Sequence, residues 1–103
     1  LESEAWAVYV LPDAKWSRRV GGVYGNALAR RHPERAHALL SMLPDGNYQV
    51  SVRAPTANPE GADELCRQFP TGGGRKAAAG INDLPANQFD AFVAALKEMY
   101  GKR

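Results

Sequence analysis

A turn followed by a strictly alternating segment is the feature that most limits the folds open to this chain. The turn, residues 44–47, contains Asp-Gly, which is typical of a tight hairpin connection. In residues 48–53, apolar and polar side chains then alternate with period two, as they do in a half-buried strand. Residues 36–43 fit a helix or a strand when taken alone, and the turn favours a strand. We therefore predict a β-hairpin, with Ser51 and Arg53 on the polar face of its second strand.

The chain before the hairpin predicts one strand and one helix. Residues 5–11 form a short apolar run bounded by Pro12-Asp13, which is typical of a buried strand. An apolar stripe at helical spacing then runs from Val20 to Leu28 and ends at His32-Pro33. The opposite face of that helix would carry Arg18, Arg19, Asn26 and Arg30.

The chain after the hairpin predicts two helices separated by a glycine-rich loop. Asn58-Pro59-Glu60 has the composition of a helix start, and Pro70 would end this helix. Residues 71–80 are rich in glycine and alanine and predict a loop, after which Ile81 would begin a short strand. A final helix opens near Pro85 and carries an apolar stripe to Tyr100. The expected fold class is α/β: a single domain, residues 1–103, with a small mixed β-sheet and flanking helices.

Composition excludes several classes of protein. With one cysteine, the chain has no internal disulfide and no cysteine-based zinc cage. His32 and His37 lack partners at metal-ligand spacing, so no metal site is expected within the chain. No apolar run approaches the roughly 20 residues that span a bilayer, and no signal peptide is recognisable, so we expect a cytoplasmic location without membrane contact. Nine of the thirteen basic residues are arginine, which suits recognition of phosphate or carboxylate.

The triple glycine is the strongest functional signal. Adjacent glycines let backbone N–H groups approach an anion, and a helical turn starting at Arg75 would add its positive end. The segment follows a predicted helix rather than a strand, which argues against a dinucleotide fingerprint, and no Gly-Lys-Ser/Thr is present for a nucleotide P-loop. We predict a phosphate-binding site without catalytic residues of its own. Its candidate residues are Ser51, Arg53, Gly72, Gly73, Gly74, Arg75 and Lys76.

The order of these motifs resembles the accessory C-terminal domain of the DHH phosphoesterases, and a related domain occurs in alanyl-tRNA synthetases. The resemblance covers roughly residues 17–100. It rests on a strand ending in Ser51-Val52-Arg53, then a short helix, then the glycine motif, residues 72–80. Arg75 stands where that family usually has histidine. The resemblance implies that Arg53 and the glycines contact the phosphate of a nucleic acid or nucleotide. It also implies that an N-terminal domain holds the metal ions, usually manganese.

The leading hypothesis is therefore a substrate-binding accessory domain, part of a larger phosphoesterase. Hydrolysis would need the N-terminal catalytic domain of the same polypeptide as a partner, and this piece alone would be inactive. No nucleophile–base set or carboxylate pair for catalysis is evident in the chain. Two alternatives stay open. The first is an autonomous module that binds single-stranded nucleic acid, and the second is a structural or dimerisation domain that forms a homodimer.

Overall fold

A computed structural model describes residues 3–12 and 24–101. They form a five-stranded mixed sheet with helices on both faces, which confirms the predicted α/β class. The strands are β1 (Trp6–Leu11), β2 (Ala36–Met42), β3 (Tyr48–Arg53), β4 (Gly72–Gly74) and β5 (Ala78–Leu84). The helices are α1 (residues 24–31), α2 (Ala62–Cys66) and α3 (Phe89–Tyr100), with a 3₁₀ turn at Ala86–Gln88 directly before α3.

The sheet order is β1-β2-β3-β5-β4, and only the β1–β2 pair is parallel. Strands β2 and β3 pair antiparallel with Met42 opposite Tyr48 and His37 opposite Arg53, so the predicted hairpin is confirmed. Strand β5 then pairs antiparallel with β3 on one side and with β4 on the other. The short strand β4 therefore lies at one edge of the sheet, beside β5.

The main core lies between one face of the sheet and the helices α2 and α3. Val50 and Val52 of β3 point into it, as their alternation with polar neighbours predicts. Leu65 of α2 and Phe92 of α3 cover them and are fully buried. The apolar stripe of the final helix is thus confirmed, and the polar face of β3 is left on the opposite side of the sheet.

Helix α1 lies on that opposite face. Gly25 is buried there: a Cβ atom at this position would be 3.5 Å from the Arg53 Cγ and 3.6 Å from the Leu39 Cδ1. Tyr24 meets Tyr9 of β1 edge to face, with ring centroids 6.2 Å apart. The distances at Gly25 are ordinary contact distances, so a methyl group would fit there, and Gly25 marks the point where α1 lies over the Arg53 stem.

Two sequence predictions about the second half of the chain are wrong. The helix expected to start at residues 58–60 starts at Ala62, because Gly61 precedes it with φ of 95°, and it is only five residues long. Residues 71–80, expected as a loop, contain β4 and the start of β5 instead. The glycines of β4 are extended because their bare backbone can pair with β5 while lying close to the end of α2.

Residues 13–23 lie outside the described part of the chain, and with them the predicted helix positions Val20 and Val23 and the arginines at 18 and 19. Among the described residues, no helix is both long enough and apolar enough to cross a membrane.

Candidate phosphate-binding site

The three glycines of β4 have different surroundings. A Cβ atom on Gly72 would overlap the carbonyl oxygen of Cys66, and Gly74 combines φ of 138° with an approach of 2.5 Å to the Ala79 Cα. Both positions therefore require glycine for the fold itself. At Gly73, by contrast, nothing lies within 4 Å of such an atom, so this residue borders open space. Of the triplet, Gly73 alone leaves room for a ligand over its backbone.

The glycine amides do not converge on one point. The Gly72 amide donates to the Phe69 carbonyl at 3.0 Å. The Arg75 amide donates to the Ala78 carbonyl at 2.9 Å. Because hydrogen-bonded pairs alternate along an antiparallel ladder, the Gly73 amide is then directed toward Gly80, its partner on β5. No helical turn starts at Arg75, because residues 75–77 form the tight connection between β4 and β5. The glycine segment therefore offers no nest of converging amides, and the groups suited to an anion are the side chains around it.

The sheet register brings the predicted arginines together. Arg53 of β3 lies opposite Ala78 of β5. On the other side of β5, the Arg75 amide donates a hydrogen bond to the carbonyl oxygen of the same Ala78. The two arginines therefore flank Ala78 in one cross-strand row, with roughly 10 Å between their Cα atoms, which is two strand spacings. Two residues further along the strands, Ser51 lies opposite Gly80, and Gly80 lies opposite Gly73. Directly opposite residues share a face, so beside the two arginines this face of the sheet is formed by Gly73 and Gly80, which carry no side chains.

These residues border a cavity of about 400 Å³ between α1 and the sheet, which we call the arginine cavity. Arg30 of α1 lines it from one side, while Arg53 and Arg75 line it from the sheet. None of the described residues that line it is acidic. The described lining residues are Asn26, Ala29, Arg30, Arg53, Ala54, Thr56, Pro59, Arg75, Ala77 and Ala78. With three cationic side chains and no carboxylate among these residues, the opening favours negatively charged groups.

Arg53 is held in place by uncharged partners. Its Nε donates to the Asn26 Oδ1 at 3.1 Å, and its Nη1 donates to the Ser51 Oγ at 3.0 Å. Neither bond uses Nη2. Because an amide and a hydroxyl carry no net charge, they orient the guanidinium without cancelling its positive charge.

The remaining predicted site residues occupy different positions. Ser51 accepts its hydrogen bond from Arg53, which orients it toward the arginine. Lys76 is exposed in the β4–β5 connection and does not line the arginine cavity, although its carbonyl oxygen accepts a hydrogen bond from the Ala62 amide. Sequence reasoning missed Arg30 and Asn26. Both lie on the polar face of α1, which the sequence predicts only as a helix surface. No local pattern indicates that this face lies over β3.

The described residues contain no cluster of three or more histidine, cysteine or acidic side chains suited to a metal ion. The one cysteine, Cys66, is fully buried at the end of α2. Burial, with a smaller contribution from the nearby carboxylate of Asp63, raises the pKa of the Cys66 thiol to about 12. The thiol is therefore protonated near neutral pH and belongs to the core.

Comparison with known proteins gives a clear result for the fold alone. No family model matches the sequence, and a search among curated proteins found no match. Neither comparison therefore supports assignment to the DHH phosphoesterases. Among solved structures, the crystal structure of the C-Ala domain from Aquifex aeolicus alanyl-tRNA synthetase is similar, with a TM-score of 0.68 and 19% sequence identity. The match covers 92% of this chain and 89% of that chain, so the chain has the fold of the C-Ala domain over nearly its whole length.

Proposed function

We propose that this domain is a nucleic-acid-binding module that holds phosphates of an RNA backbone at the arginine cavity. The observation that carries the proposal is the lining of that cavity, where Arg30, Arg53 and Arg75 surround one opening and none of the described lining residues is acidic. The planar guanidinium of arginine can donate to two phosphate oxygens at once, and arginine stays charged at any physiological pH. A polyanion is the class of ligand that such an opening favours.

The likeness in fold supports RNA as the polymer. The similar C-Ala domain belongs to an alanyl-tRNA synthetase, an enzyme whose name gives tRNA as its substrate. A shared fold does not by itself fix function, so the proposal depends on the cavity and uses the likeness only to choose the first ligand to test. We therefore propose a structured RNA of the tRNA type rather than a free nucleotide.

The hypothesis of a phosphoesterase accessory domain receives less support than that of a binding module. The autonomous binding module, an alternative in the sequence analysis, agrees better with the C-Ala likeness than the phosphoesterase accessory domain does. The N-terminal catalytic domain, its manganese and a homodimer stay predictions from the sequence. They form no part of the proposed function, which requires only the residues around the cavity.

The experiment is a salt titration of RNA binding. The full chain would be titrated into a fluorescently labelled tRNA, and the dissociation constant measured by anisotropy between 50 and 200 mM salt. Arg30→Gln and Arg75→Gln should each weaken binding and reduce the slope of log K against log salt by about 0.7 to 0.9. Both side chains are exposed, so the fold should be unaffected.

Arg67→Gln is the matched control, because it removes the same charge from a residue outside the cavity. Arg67 lies just after α2, is 60% exposed and pairs with Asp63. This variant should bind the RNA nearly as well as the unmodified chain. Equal losses for all three variants would indicate a diffuse charge effect, and the absence of salt-dependent binding in the unmodified chain would overturn the proposal.

A further inference from the structure

We infer that Asn26 is a positioning residue that fixes the Arg53 guanidinium toward the arginine cavity while leaving its charge uncompensated. The inference rests on the proposed function, which it deepens by assigning a role to a side chain on the other side of the cavity. Asn26 belongs to α1 and Arg53 to β3, and 27 positions in the chain separate them. Their hydrogen bond is therefore a tertiary contact between helix and sheet.

Two further features limit the freedom of Arg53. Helix α1 passes over the arginine stem at Gly25, where an added Cβ atom would lie 3.5 Å from the Arg53 Cγ and 3.8 Å from its Nε. On the strand, the Ser51 hydroxyl accepts from Nη1. An arginine side chain loses much of its rotamer entropy when it is fixed. Here that cost falls on folding, so less of it remains for ligand binding.

The chemical identity of the partner matters as much as its position. An aspartate at position 26 could accept the same hydrogen bond from Nε with nearly the same shape. It would also place a negative charge about 3 Å from the guanidinium, where it would compete with a phosphate. An amide positions the cation without this competition. The structure thus explains why a neutral acceptor suits this position when the ligand is an anion.

The test compares two changes at Asn26 with one at Arg53, using the labelled tRNA as probe. Asn26→Asp should preserve or raise the thermal midpoint of unfolding yet weaken RNA binding roughly tenfold or more. Asn26→Ala should weaken binding by roughly fivefold, because the Arg53 side chain would then have to be ordered when the RNA binds. Asn87→Asp, on the exposed 3₁₀ turn, adds the same charge away from the cavity and should leave affinity within twofold.

A double-mutant cycle separates positioning from direct contact with the RNA. Lysine has no Nε–H of the arginine kind, so Asn26→Ala should cause no further loss in an Arg53→Lys background. A direct contact between Asn26 and the RNA would instead give additive losses and overturn the positioning role. Unchanged affinity in both Asn26 variants, with Arg53→Lys still weakened, would overturn it as well while leaving the proposed function intact.

A measurement without RNA distinguishes failure of the inference from failure of the proposed function. In a ¹⁵N–¹H spectrum of the arginine Nε region, the Arg53 signal should be protected from exchange and should lose that protection in Asn26→Ala. An exchanging, unshifted signal would overturn the inference whatever the RNA result. If the signal behaves as expected but neither the unmodified chain nor Arg53→Lys responds to RNA, the proposed function fails and the structural role stands.

Discussion

Gly72 lies so close to the carbonyl oxygen of Cys66 that a side chain on this glycine would overlap it. Cys66 is the last residue of α2 and Gly72 the first of β4, so the contact joins a helix end to an edge strand. The next residue along, Gly73, faces open space. Adjacent glycines in one motif therefore serve different purposes, one in packing and one beside the candidate site.

Gly72→Ala should destabilise the fold. The added methyl group meets main-chain atoms that cannot rotate away, so β4 or the end of α2 must shift. We expect a loss of about 3 kcal/mol in the free energy of unfolding, in the range of severe overpacking. Urea denaturation followed by circular dichroism measures it, and a midpoint equal to that of the unmodified chain would contradict the contact.

Gly73→Ala should have the opposite profile. Its φ lies outside the left-handed range and its surroundings are open, so stability should be unchanged or slightly higher through the lower entropy of the unfolded chain. Because the methyl group would stand on the floor beside the arginine cavity, RNA affinity should fall by roughly threefold or more. Denaturation and anisotropy on the same preparation check both halves. Intact affinity would exclude Gly73 from the site.

Tyr100→Phe should cost about 1 kcal/mol of stability. The Tyr100 hydroxyl, at the buried end of α3, donates to the Glu60 carbonyl at 2.9 Å and so ties the last helix to the segment before α2. Removing it leaves that carbonyl without this donor. Tyr24→Phe, on the exposed surface of α1, is the control and should change the unfolding free energy by less than about 0.5 kcal/mol.

The raised pKa of Cys66 predicts both low reactivity and a pH dependence of stability. The folded pKa of about 12 exceeds the ordinary value of 9.0, so between these values the native state binds more protons than the unfolded state. The contribution of this group to stability is thus complete below pH 9 and is lost as the pH rises toward 12. A thiol reagent at pH 8 should label the chain only in denaturant. Rapid labelling of the folded protein would contradict the burial.

Periodicity was sufficient for much of the fold. The alternation after the Asp-Gly turn predicted β3 and its pairing with β2, and helical spacing predicted the apolar face of α3. It failed where local signals are weak. Three glycines suggest a loop in isolation, yet these residues form an edge strand because β5 lies alongside to pair with them, and at Gly72 the end of α2 leaves space only for bare backbone.

The candidate site could be predicted only in part, for a related reason. Ser51 and Arg53 share a face through period two alone, and that relationship is visible in the sequence. The approach of Asn26 and Arg30 depends on how α1 lies across the sheet, a long-range contact that no local pattern encodes. Arg75 lines the same cavity because the β4–β5 connection lies beside the end of β3, where the Ala54 amide donates to the Ala77 carbonyl. A helical turn at Arg75 would not give this arrangement.

The arginine cavity has walls from α1, β3 and the β4–β5 connection, segments that stretch from residue 26 to residue 78. No contiguous peptide from this chain could therefore reproduce it, and partial unfolding of any one wall would abolish it. Occupancy by a polyanion would consequently report that α1, β3 and the β4–β5 connection are all folded in place. By mass action it would also raise the melting temperature, by an amount that grows with the ligand concentration relative to its dissociation constant.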